Sequence, residues 1–195
     1  MDQVTQPDTK SKFLDRSTPP HIATLVMIAG LSALTMNVIL PSLPILAEYF
    51  ETEYVLVQTA ISGYLATTAA LQLLIGPLSD RYGRRPVILT GLVLFLLATI
   101  GTVFSTTIET FLAFRMMQAV VVTGMVLSRA VVRDMVPMDR AASMIGYVTM
   151  GMTLAPMIGP TIGGFLEEAY GWQAGFIFLF VCGVIVLFIA WSDLA

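Results

Sequence analysis

The sequence predicts an all-α integral membrane protein, with six transmembrane helices arranged as an inverted three-plus-three repeat. Three observations predict it. Hydrophobic residues make up 56% of the chain and charged residues only 12%, about half the charge of a soluble domain. Six apolar stretches qualify, or nearly do, for the roughly 20 residues that carry a helix across a bilayer. Outside the spans, Lys and Arg fall only in the N-terminal tail and in alternate connections, as they do in multi-pass proteins.

Taken in order, residues 1–21 are polar and mixed in charge, with Pro7, Pro19 and Pro20. They read as a short disordered tail. The apolar run after His21 is too long for a signal-peptide core and has no small-residue cleavage site, so it is expected to remain as the first span. The spans are expected over 22–47, 55–78, 87–104, 111–132, 141–166 and 172–191, and residues 192–195 read as the start of a truncated central linker. The connections are short, so neighbouring spans run antiparallel. Lys10, Lys12 and Arg16 precede the first span, Arg81, Arg84 and Arg85 follow the second, and Arg133 and Arg140 follow the fourth, with Arg129 just inside it. The other connections hold Glu48, Glu51, Glu53, Glu109, Glu167 and Glu168 and no basic residue. The positive-inside rule then places both ends in the cytoplasm, and the inner membrane is the expected location.

The chain compares with itself at an offset of about 83 residues. Gly63-Tyr64 and Gly76-Pro77 in the second span match Gly146-Tyr147 and Gly159-Pro160 in the fifth, and Tyr82-Gly83 is echoed by Tyr170-Gly171. The second span descends where the fifth ascends, so the copies are inverted. Inverted repeats suit proteins that expose a site alternately to either side; chance recurrence of residues common in membrane helices is the other reading.

The connection after the second span reads Gly-Pro-Leu-Ser-Asp-Arg-Tyr-Gly-Arg-Arg-Pro-Val-Ile over 76–88. Asp80 lies among three arginines at the membrane surface, Gly83 permits a tight turn, and Pro86 suits a helix start. This much fits a topogenic arginine cluster with a counter-ion. The spacing also resembles the signature loop of the major facilitator superfamily at Gly76, Leu78, Asp80, Arg81, Gly83, Arg84, Arg85 and Ile88. The resemblance implies the N-terminal bundle of that family's twelve-helix fold. It also implies a cytoplasmic latch, with Asp80 and Arg81 as latch residues, completed by a second six-helix half that this chain lacks.

Other segments extend the resemblance. Pro156, Gly159, Pro160, Gly163 and Gly164 in the fifth span form a small-residue packing seam with two prolines. They also resemble the antiporter motif of drug-exporting members, with Ala155 where that motif begins on glycine. Arg115 and Gln118 in the fourth span resemble a motif associated with proton transfer, two of whose glycines are Ala119 and Val121 here. Arg115 is about four residues from the outer end, ~6 Å deep. It either snorkels to the interface or faces a partner within the bundle. Asn37, ~22 Å into the first span, stands where the bicyclomycin/chloramphenicol-resistance branch of drug:proton antiporters carries an aspartate. It either joins Arg115 in one polar site or makes a helix–helix hydrogen bond.

The resemblance therefore implies efflux of small amphipathic compounds by alternating access, proton-coupled in the family. Asn cannot take up a proton, and the expected spans hold no Asp or Glu, which places a coupling carboxylate in the missing half or at an end such as Glu48. Lipid, a small-molecule substrate and the missing half are the expected partners. Nothing points to nucleic acid or to a cofactor. The single Cys182 excludes a disulfide framework and a multi-cysteine metal site. Spans without His, Asp or Glu offer no nucleophile–base pair, so an enzyme is not expected. The twelve methionines suit an adaptable drug pocket or serve as packing filler. A half-transporter working as a homodimer and a non-functional fragment are the remaining alternatives.

Overall fold

The computed structural model describes residues 13–14, 19–135 and 138–194, and all regular structure among them is helical. The disordered tail expected before the first span falls mostly on residues 1–12 and 15–18, outside those described. The helices are α1 (Ile22–Asn37), α2 (Leu43–Tyr49), α3 (Tyr54–Tyr82), α4 (Arg84–Val103), α5 (Ile108–Gln118), α6 (Val122–Met135), α7 (Met138–Tyr170) and α8 (Gln173–Asp193). A 3₁₀ turn, Ala119–Val121, joins α5 to α6. Five stretches are long and apolar enough to cross a membrane: α3, α4, α5 with α6, α7 from Ala141, and α8.

The first span differs from the continuous helix expected over 22–47. It stops after Asn37, passes through tight turns closed by Leu40 N–H to Asn37 O and Ser42 N–H to Ile39 O, and resumes as α2. Pro41 and Pro44 lack the donors that would bond back to Asn37 and Leu40, so the helical ladder fails there. The fourth span is likewise interrupted just after Gln118. Ser32 Oγ of α1 donates to Val121 O at 2.7 Å, supplying a donor to the turn from outside.

The repeat has a structural counterpart at its tightest turns. Gly83 joins α3 to α4 at φ 91°, and Gly171 lies between α7 and α8 at φ 86°. Both are in the left-handed region, where only glycine sits without strain. These are the glycines of the Tyr-Gly echo.

The bundle is organised around α1, which packs on α6, α7 and α8. Gly124 meets Ile28 and Gly151 meets Val26, so backbones approach closely along α1. Leu25, Ile28, Leu31, Leu92, Phe95, Leu127 and Leu179 are buried between the helices. Tyr49, Phe50, Phe111, Trp172 and Phe176 close the glutamate-bearing end with edge-on and tilted ring contacts. By contrast α3 and α7 bury little of their surface, leaving Leu73 79% and Met157 71% exposed.

Candidate functional site

Arg115 is wholly enclosed, with 0% of its surface exposed, which excludes snorkelling. It lies in the last turn of α5, where the helical spacing of three residues brings Gln118 to the same face. Its Nη1 donates to Gln118 Oε1 at 2.8 Å, and its Nη2 donates to Thr35 O of α1 at 3.0 Å. Gln118, also fully buried, passes the chain on: its Nε2 donates to Thr99 Oγ1 of α4 at 2.9 Å. The guanidinium lies over the ring of Tyr64 of α3, 4.4 Å from the centroid, a cation–π contact strengthened by desolvation. Four spans thus converge on one cation. Arg115 Nε has no hydrogen-bond partner among the described residues.

Asn37 does not join this group. Its Nδ2 donates to Ala33 O one turn back, at 2.7 Å. Its Cβ faces α7, where a Cβ placed on Gly159 would come within 2.8 Å of it. Thr35 and Asn37 are two residues apart, about 200° around the helix, so Thr35 meets Arg115 while Asn37 meets the glycine seam. That seam is the close contact of α7 with α1. A Cβ on Gly163 would lie 2.2 Å from the backbone oxygen of Val38, and Gly164 lies beside Pro41. Pro156 and Pro160 stay inside the unbroken α7.

At the arginine-bearing end, Arg84 holds two carboxylates. Its Nε donates to Asp134 of α6, and its Nη2 lies 3.9 Å from Asp80. Arg81 stacks over Tyr82, 5.4 Å from its centroid. Arg85 lies over Trp191 of α8, 5.7 Å from its centroid. Gly76, within α3, has open space on its Cβ side.

Several participants were not singled out by sequence. Tyr64 was visible only as part of the repeat, and Thr99 carried no signal. Asp134 is the nearer partner of Arg84, although Asp80 was read as the loop's counter-ion. Asp193, two residues beyond the expected end of the sixth span, is fully buried and accepts from the backbone N–H of Leu14 and of His21, both at 2.8 Å.

A helical membrane bundle with a buried arginine relay and a short arginine-rich connection defines the class of protein. The chain belongs to the Major Facilitator Superfamily, whose family profile matches residues 25–193. It is 32% identical over 158 residues to Multidrug resistance protein D of Escherichia coli (strain K12), covering 80% of this chain and 40% of that protein. It is 36% identical over 163 residues to the Chloramphenicol resistance protein of Pseudomonas aeruginosa, covering 80% of this chain and 39% of that one. The chain therefore spans about two fifths of the length of these relatives. Among solved structures, a bacterial homologue of the human lysosomal transporter Spinster, inward-facing and unoccupied, superposes with a TM-score of 0.76 at 18% identity, covering 89% of this chain and 42% of that one. A peptide transporter in complex with sulfate superposes with a TM-score of 0.77 at 19% identity, covering 90% and 38%. These two likenesses establish the fold.

Proposed function

We infer that this chain forms one six-helix bundle of a secondary transporter that exports small amphipathic compounds by alternating access, with proton movement as the exchanged current. The observation that carries the reading is the enclosed Arg115, held by Gln118, Thr35 O and Tyr64. An intramembrane cation is costly and marks substrate or ion pathways. Relatives named for multidrug and chloramphenicol resistance supply the substrate class. The sparsely buried faces of α3 and α7 support pairing with a second six-helix bundle, against which this one would rock. The arginine-bearing end faces the cytoplasm of an inner membrane, and the Asp80–Arg84–Asp134 cluster latches that side. Arg115 has no carboxylate partner among the described residues, so the protonatable group belongs to the second bundle or to an end of the helices.

The test is chloramphenicol flux in proteoliposomes that hold this bundle together with its second bundle. Flux should rise when a proton gradient is imposed and should be lost in Arg115→Met. Gradient-independent flux would sink the coupling. Transport by this chain alone, with crosslinks between identical copies, would make the second bundle a second copy.

A further inference from the structure

Beyond transport, the surface between α4 and α8 carries a second kind of site. An apolar groove of about 600 Å³ runs between these helices, lined by Leu89, Val93 and Leu94 on one side and Val184, Phe188 and Trp191 on the other. Both helices are long and apolar enough to cross the membrane, and the hydrocarbon region holds no water to fill such a groove. From Val184 to Trp191 the groove follows about two turns of helix, ~10 Å, a length that suits part of one acyl chain.

Beyond the Trp191 end of the groove, and outside its lining, lies one basic side chain. Arg85 stacks on Trp191. Its Nη2 makes one long bond to Trp191 O, at 3.5 Å, and its Nε is enclosed and unbonded, so only the outer nitrogens of the guanidinium can meet a headgroup. The neighbouring Arg84 is engaged by Asp134 and Asp80, whereas Arg85 has no carboxylate within ion-pair distance among the described residues. Trp at a helix end marks the headgroup level of a bilayer. An under-satisfied guanidinium at that level, above an apolar groove, complements an anionic headgroup whose chain lies in the groove. We propose that α4 and α8 bind one phospholipid with an anionic headgroup, its phosphate at Arg85 and one acyl chain along Val93, Val184 and Phe188.

The experiment is native mass spectrometry of the intact chain released from nanodiscs with equal mole fractions of phosphatidylglycerol and phosphatidylcholine. The parent should retain phosphatidylglycerol over phosphatidylcholine by about fivefold, the effect of one basic side chain near the headgroups. Arg85→Gln should abolish that preference. Arg81→Gln removes the same charge from an exposed position away from the groove and should leave it unchanged. Val93→Trp fills the groove without touching the charge and should lower retention of both lipids. The proposal is overturned if Arg85→Gln keeps the preference, if Arg81→Gln loses it equally, or if Val93→Trp retains lipid as the parent does. Size-exclusion chromatography confirms that each variant is folded before it is compared.

Discussion

A single guanidinium links four spans, and its loss is felt in both stability and function. Arg115→Met leaves Gln118 Oε1 and Thr35 O buried without a donor, at about 1–3 kcal/mol per group. It is therefore expected to lower stability in detergent unfolding as well as abolish transport. Arg115→Lys should also fail in transport, because one ammonium cannot reproduce the planar fork that meets both Gln118 and Thr35 O. At the arginine-bearing end, Asp80 is 73% exposed in its side chain and 3.9 Å from Arg84. An exposed pair contributes at most about 1 kcal/mol, so Asp80→Asn should leave the melting temperature unchanged and reduce flux. Asp134 is itself 57% exposed in its side chain, so Asp134→Asn should likewise lower the melting temperature little while reducing flux. Normal flux in Asp80→Asn would leave the loop a purely topogenic signal. Sequence made Arg115 and Gln118 legible because charge within an apolar run is conspicuous and their spacing is helical. Tyr64 and Thr99 were hidden because Tyr and Thr are ordinary in spans, and only the tertiary path of α3 and α4 brings them to the cation. Asn37 was misleading in one respect: depth along a helix was legible, but azimuth was not, and azimuth turns it toward α7.

At the scale of helices, the glycines of α3 and α7 do unequal work. Gly163 lies against Val38 O of α1, and an added Cβ would meet that oxygen at 2.2 Å. Backbone cannot yield as a side-chain tip does, so Gly163→Ala should force α7 off α1 and cost about 1–3 kcal/mol. Gly76, by contrast, meets nothing within 4 Å. Gly76→Ala should leave the unfolding temperature unchanged or slightly raised, since Ala gains up to about 1 kcal/mol of helix propensity. A loss of flux in that stable variant would show that the open side is occupied during the transport cycle. Equal destabilisation by the two variants would refute the packing argument. Most helices were legible because apolar runs of this length leave few alternatives in a bilayer. The breaks after Asn37 and Gln118 were less so. The prolines at 41 and 44 warn of the first, although Pro77, Pro156 and Pro160 sit in unbroken helices, and nothing local announces the 3₁₀ turn at Ala119–Val121.

For the whole molecule, the charge asymmetry makes a direct claim about sidedness. In a Cys182→Ala background, Glu53→Cys and Glu109→Cys should react with an impermeant thiol reagent on intact cells, and Arg81→Cys should not. External labelling at Arg81→Cys would invert the orientation. The second claim concerns the buried Asp193. Removing its carboxylate leaves the part-buried Leu14 and His21 amides without their acceptor. Asp193→Ala should speed hydrogen exchange at those amides while amides in the middle of α4 and α8 exchange as before. Uniform protection would show that the contact is incidental. If it holds, the route into α1 and the route out of α8 are clasped by one side chain, and mechanically the six spans form a ring. Tension applied beyond residue 193 would reach the foot of α1 without first straining the helices between. Joining the clasped strands through a short peptide and opening the ring instead at residues 104–107 should yield a circular permutant that still folds.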